Sequence, residues 1–249
     1  MKNLTLTTRE NVYNAPTFNW DSLTYTPVSN KSIMDLIEDK INNLGLKVKN
    51  EEYRVARTNQ GIVKGVIGSY NIVTPNEEFG QKIMFRNSYD KSMSFAFVCG
   101  ALVWICSNGC IKGDYQYKRI HRGIVEGDTS TTMEDVVFNI DNGINSLQES
   151  FNVLTRQMLE LKHFEIGPKS IYDILGKLFF EKEAISITQM SIIKKELEFS
   201  RDFKHLGDTD FTAYDLYNHI TESLKVSHPL TYIKDHVKTH TLFEEVFDI

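Results

Sequence analysis

The sequence is poor in the features that most often identify a function. It has three cysteines in 249 residues, an odd number crowded between Cys99 and Cys110, which fits reduced thiols better than a disulfide framework and points to a cytoplasmic setting. Its longest apolar run, Phe95 to Cys106, is far shorter than the roughly 18 residues a membrane-spanning helix needs. Lys2 is not followed by an apolar stretch, so no secretory leader is expected. Gly-Lys-Ser/Thr does not occur, and Gly61, Gly65 and Gly68 fall in a strand-like pattern, so neither phosphate-cradling glycine motif is present. A Gly-x-Ser-x-Gly elbow is also missing. Ser88, Asp90 and His121 could form a triad only through contacts that spacing does not supply.

Metal binding is disfavoured by the same kind of argument. Cys99, Cys106, Cys110 and His121 lack the close cysteine pairing of a zinc knuckle, and buried thiols are the better reading. His236 and His240 are four apart without a Glu between them in the Glu-x-x pattern, and read as exposed histidines of a tail. No cofactor and no metal is expected, and no catalytic residue is assigned.

Charge is plentiful but segregated. The net charge is -5, yet residues 46 to 125 hold 12 Lys and Arg against 6 Asp and Glu, while residues 126 to 249 hold 12 against 22. A basic segment inside an acidic chain points to an anionic partner.

The periodicity changes along the chain in a way that sets the fold class. Residues 1–28 show no helical period and read as an extended arm carrying Phe18, Trp20 and Tyr25, packed on the body or on a neighbouring subunit. Ser29 or Asn30 caps a helix through Ile33, Leu36, Ile37, Ile41 and Leu44, stopped by Gly45. From Leu46 the period is two, with a reversal at Asn59-Gln60-Gly61 and a strand end at Thr74-Pro75-Asn76. Glu77 to Gln81 reads as one helical turn. Strands over Lys82–Arg86, Met93–Ile105 and Ile111–His121 complete an antiparallel meander of about five, with a tight turn at Asn108-Gly109 and with bulges or bends at Gly65, Gly68 and Gly100.

Beyond Gly127 the pattern is helical. Ile140, Ile144, Leu147, Phe151, Leu154, Met158 and Leu161 form one seam, opened by a Thr131/Glu134 capping box and kinked near Asn142-Gly143. Three more helices follow, near Pro168, after a Thr188 cap, and over Asp210–Lys225, and then a docked tail. The expected architecture is α+β: an arm (1–28), a helix plus meander (29–127), and a helical part (128–249) packed on the sheet as one compact unit.

The meander carries the candidate interface. Arg54, Arg57, Lys64, Arg86, Lys118, Arg119 and Arg122 lie in strands or turns with Tyr115 and Tyr117 nearby, and Tyr53, Tyr70 and Tyr89 add to the aromatic content. Cations follow phosphates and aromatic faces stack bases, which is how single strands are held without sequence choice. Asn87, Ser88 and Asp90, beside Arg86, form either a ligand site or a polar turn in which Arg86 pairs with Asp90.

Several blocks occur in a specific order: Gly68 to Val73, Asn76-Glu77-Glu78-Phe79, Arg86 to Ser92, Val103 to Asn108, Ile120-His121, and Thr212 to Glu222. Together they resemble the phage/plasmid-like protein family, domain of unknown function 932. In place of that family's usual histidine and glycine in the Arg-Asn-Ser block stand Tyr89 and Lys91, a departure that argues against catalysis there. The resemblance implies phage or plasmid origin in a bacterial cytoplasm, and no established activity. The resulting expectation is a DNA-metabolism protein that binds single-stranded nucleic acid on its sheet, with strand annealing as the associated activity. The alternative is a non-enzymatic phage protein, virion-associated or binding host defences, assembled through the arm and the long helix. Homo-oligomerisation is expected under either.

Overall fold

The computed structural model describes residues 4–17, 27–74, 78–90, 92, 95–103, 108–110, 116–119, 132–228 and 231–249, with side-chain surroundings given outside 101–133. The fold is α+β. In chain order the elements are β1 (Thr5–Thr7), α1 (Arg9–Tyr13), α2 (Asn30–Asn43), β2 (Val48–Arg57), β3 (Val63–Ile72), β4 (Phe79–Ser88), β5 (Phe95–Val103), β6 (Asn108–Cys110) and β7 (Gln116–Arg119). Then come α3 (Thr132–Asn145), α4 (Leu147–Leu161), α5 (Pro168–Gly176) with a π-helical turn (Lys177–Glu181), α6 (Ile187–Phe199), α7 (Ala213–Leu224) and α8 (Tyr232–Phe247). The strands make one sheet in the order β1-β2-β3-β4-β5-β6, with β7 also paired to β5.

The chain divides into two compact units that interleave in sequence instead of meeting at 127/128. One comprises Met1–Pro75, Gln81–Cys99 and Gly113–Gln148, and the other Asn76–Gly80, Gly100–Lys112 and Glu149–Ile249.

In the first unit α2 forms where its signals lie. The Ser29 side chain accepts from the Ser32 amide, and Gly45 adopts φ +66 just past the last turn, the left-handed conformation glycine tolerates best. Ile33, Met34, Ile37 and Ile41 are buried with Val55, Val66, Ile72, Ile83, Phe85, Phe95 and Phe97 from the strands and Ile140 and Ile144 from α3. Removing each such side chain from water contributes about 1.5–3 kcal/mol. The β2–β3 hairpin turns at Asn59-Gln60-Gly61, where Gly61 has φ +82. The ladder shifts register between Ala56 and Arg57, opposite Gly65. Gly68 has a different cause: a Cβ there would lie 2.3 Å from the Phe85 ring. The glycine is a seat for that ring, not a bulge.

Three local expectations are corrected. Asn108 and Gly109 are strand residues of β6, facing Val103 and Leu102, so the pair is not itself the turn. Asn-Gly favours a tight turn only where the chain reverses, and here the sheet register places the pair inside the ladder. Phe79 to Gln81 begin β4 instead of a helical turn, since the alternation Phe79, Gln81, Ile83, Phe85 extends the strand backward. Finally, the described part of the arm is not simply extended: β1 pairs with the outer edge of β2, and a short helix follows. Its aromatics Phe18, Trp20 and Tyr25, and the Thr131 cap, lie outside the described residues.

The long seam is buried throughout, interrupted at Ser146 close to the expected kink. Ile140, Ile144 and Leu147 belong to the core of the first unit; Phe151, Leu154, Met158 and Leu161 belong to that of the second. In the second unit α7 is buried almost all round, as a helix at the centre of a helical group must be. Its Thr212–Asp215 capping box closes the N-terminal turn, and the cap of α6 is Ser186 with Gln189, two residues before Thr188. The tail is the sixteen-residue helix α8, and His236 and His240 on it are fully buried, not exposed. Their spacing puts them on the same face as Phe243, which turns inward.

Candidate nucleic-acid interface

The basic side chains of the meander separate into two groups. Arg54 and Arg57 are exposed on β2, as are Lys47 and Lys49 just before and at its start. The Arg54 Nε donates to Glu52 Oε1 at 2.7 Å, and Arg57 Nη1 donates to the Gly61 carbonyl at 2.8 Å. Such exposed contacts exchange readily with solvent and with a competing anion. Arg86 and Lys64 behave differently. Arg86 is only 6% exposed, beside Ile67, which in turn pairs with Arg54, and burial pushes its guanidinium down from the ordinary arginine value. Lys64 is held by Asp90 at 3.1 Å. Neither offers a cation to a ligand as freely as the β2 pair.

Lys118 and Arg119 lie on β7 at register positions facing Ala96 and Phe95, and Tyr117 faces Phe97. Tyr115 and Arg122 fall outside the described residues. Tyr53, Tyr70 and Tyr89 are not stacking platforms, since all three are buried. The Tyr53 hydroxyl donates to Glu51 and that of Tyr70 to Glu38, and the two rings meet edge to face.

The Arg86–Asp90 block is a clasp inside the first unit. Asn87 and Ser88 are buried residues of β4, not of a turn. The Asn87 Nδ2 donates to the Val28 carbonyl at 2.8 Å and to Asn30 Oδ1 at 2.9 Å, and its Oδ1 meets no donor among the described residues. The Tyr89 hydroxyl accepts from the Asn30 amide at 2.7 Å. The block therefore grips the first turn of α2, whose leading amides have no helical partners of their own. Asp90 pairs with Lys64 and accepts from the Ser92 amide, in place of the expected pairing with Arg86, and its carboxyl sits below the ordinary range: burial, the largest influence, opposes the shift, and Ser92 and Lys64 outweigh it. Ser88 is buried as well, and His121, the third residue of the triad considered above, lies outside the described residues.

A second node joins two other blocks in the second unit. Glu78 accepts from Lys162 Nζ at 2.6 and 2.7 Å and from the Tyr214 hydroxyl at 2.8 Å, while Phe79 meets the Tyr214 ring edge to face. Sequence reasoning quoted Glu78 and Tyr214 in two separate blocks but did not join them and passed over Lys162, because a pairing across 136 residues leaves no local signature.

The Cys99 thiol is buried and raised by desolvation, an inert state. Among the described residues no three His, Cys, Asp or Glu are grouped to hold a metal ion. A cavity of about 280 Å³ opens where α6 ends against α7, with Glu196 and Glu222 in its wall; burial first, and then the Glu222 charge, raise the Glu196 carboxyl.

His219 on α7 donates from Nε2 to the Lys204 carbonyl at 2.9 Å, stacks on Phe211, and meets no partner at Nδ1 among the described residues. Burial lowers its pKa, more than the Lys204 carbonyl and Asp215 raise it, with His205 lowering it further. Below an ordinary histidine pKa of about 6.5 the unfolded chain takes up a proton that folded His219 refuses, so stability should fall as pH drops through that value. Urea titrations at about pH 8 and about pH 5.5 should show a smaller loss in His219→Gln than in wild type. Equal losses would assign the acid sensitivity elsewhere.

A family model described as "Domain of unknown function (DUF932)" matches residues 19–242. No curated protein and no solved structure matches the chain.

Proposed function

The chain belongs to the DUF932 family, and from that premise we propose that it binds single-stranded nucleic acid through exposed cations of β2 together with residues 115–122. The observation that supports this most is the exposure of Lys49, Arg54 and Arg57 along one strand, and of Lys47 just before it, in a segment with twice as many cations as anions. At about 3.3 Å per residue that strand offers roughly 30 Å of track for a phosphate backbone. Tyr115 and Tyr117 supply the stacking faces, and Lys118, Arg119 and Arg122 the further charge. Arg86 and Lys64 are not assigned to the contact, because burial and Asp90 hold them. Strand annealing in a phage- or plasmid-derived pathway of the bacterial cytoplasm is the associated role.

Fluorescence anisotropy of a labelled oligonucleotide of about 40 bases tests it. Binding should weaken linearly on a log–log plot against salt, and Arg54→Ala with Arg57→Ala should lower both the affinity, by about tenfold, and the slope, by roughly one to two. An oligonucleotide that stays unbound at about 50 mM salt would remove the reading.

A further inference from the structure

The N-terminal segment Thr5–Ala15 is held on the first unit in an unusual manner. Its ladder to β2 is three residues long, Thr5 to Val55, Leu6 to Arg54 and Thr7 to Tyr53. Of its described side chains only Val12 is buried, and Leu6 is 71% exposed. Val12 joins the core of the unit, with Tyr13 and Ala15 packed against it, and the segment's closest polar contact is ionic: Arg9 Nη2 lies 2.6 Å from Glu38 Oε2 and its Nε lies 3.3 Å from Glu38 Oε1 and 4.0 Å from Glu51. Tyr13 adds a hydroxyl bond to Asp35 at 2.8 Å and a ring face to Arg9.

The two carboxylates of the receiving surface have partners outside the segment. Glu38 on α2 and Glu51 on β2 are each set in place by the hydroxyl of a buried tyrosine, Tyr70 and Tyr53. A cavity of about 410 Å³ lies beside them, with Arg9 as one of its walls. A paired strand edge with two fixed carboxylates is a preformed seat for a short extended segment followed by an arginine. The thirteen residue steps from Ala15 to Val28 span up to about 45 Å when fully extended, enough to carry the segment to another molecule.

We infer that Thr5–Ala15 is an exchangeable arm whose second occupant site is β2, Glu38 and Glu51 of another copy of this chain. Every contact made within one chain is then made identically between two, so exchange costs little beyond the loss of cis proximity. Arm exchange gives the protein a concentration-dependent dimer in which the β2 tracks of two copies are tied together.

The ladder itself supplies the test. Leu6 and Arg54 face each other at a separation suited to a disulfide, and both are exposed. Full-length Leu6→Cys and Arg54→Cys chains of different mass, mixed and oxidised, should give a covalent heterodimer. The out-of-register partner Lys49→Cys, mixed in the same way, should give at least roughly tenfold less, because only the register pair holds its thiols at high effective concentration. A heterodimer yield from Arg54→Cys no greater than that from Lys49→Cys would overturn the inference, since collision alone would then account for it. Nucleic-acid binding by the wild-type chain is read separately and does not bear on this outcome.

Discussion

Replacing Phe243 with alanine is expected to cost about 3–5 kcal/mol of stability, one of the two largest effects anticipated for a single change in this chain. Phe243 has no exposed surface and meets Tyr217 edge to face with ring centres 5.0 Å apart. Its loss would empty the place where α8 meets α7, and the buried polar chain beside it cannot fill the void. In that chain the Gln157 amide nitrogen donates to Glu244 at 2.9 Å, so its oxygen faces His240 Nε2 at 3.1 Å. His240 therefore carries its proton on Nε2, and Nδ1 accepts from the Tyr217 hydroxyl at 3.2 Å. Val246→Ala on the exposed side of the same helix should change stability by no more than about 0.5 kcal/mol. Urea unfolding of the two variants gives the comparison. A Phe243→Ala chain within about 1 kcal/mol of wild type would mean that α8 is an ornament on the second unit.

The contrast between these two residues also shows where the sequence could be read and where it could not. Helix α2 was legible because its signals are local: a capping serine, a 3.6 period and a glycine stop. The seam from Ile140 to Leu161 was legible for the same reason, since seven apolar residues on one face demand burial whatever covers them. The β2–β3 hairpin followed from alternation and from Gly61. The tail was not legible in the same way. Its apolar end suggested docking, but Asp235, His236, Thr239 and His240 are polar, and the partners that make burial of His240 tolerable, Tyr217 and Gln157, are distant in sequence. Asn108-Gly109 misled because a local turn preference was overruled by a ladder to β5. At the proposed interface, residue type identified cations but not their fate. Nothing adjacent to Arg86 in sequence states that it is buried while Arg54, its neighbour but one across the sheet, is exposed. Arg54, Ile67 and Arg86 share one face of the sheet, and which part of that face is covered appears only with the fold.

Replacing Asn87 is the other change expected to be severe, at about 2–4 kcal/mol for alanine, and it decides what the family block does. Both hydrogens of the Asn87 amide are engaged, one on the Val28 carbonyl and one on Asn30 Oδ1, and the residue is fully buried. Alanine leaves those two acceptors without donors in a dry setting, at about 1–3 kcal/mol for each unmet group. Asn87→Asp should be worse than alanine, because a carboxylate would face two oxygen acceptors, with burial opposing its charge. Asp90→Asn, by contrast, disturbs a partly exposed pair with Lys64 and should cost about 1 kcal/mol or less. The order Asn87→Asp, Asn87→Ala, Asp90→Asn in falling cost is what a clasp on the first turn of α2 predicts. A ligand site predicts another pattern, in which Asn87→Ala keeps its stability and loses binding. Thermal unfolding run beside the oligonucleotide assay separates the two. If Asn87→Ala unfolds with wild-type stability yet no longer binds, the block contacts the ligand and the clasp is wrong. If it unfolds early, and the fraction still folded binds as tightly as wild type, the block is architecture, and the exposed cations of β2 are left to carry the contact.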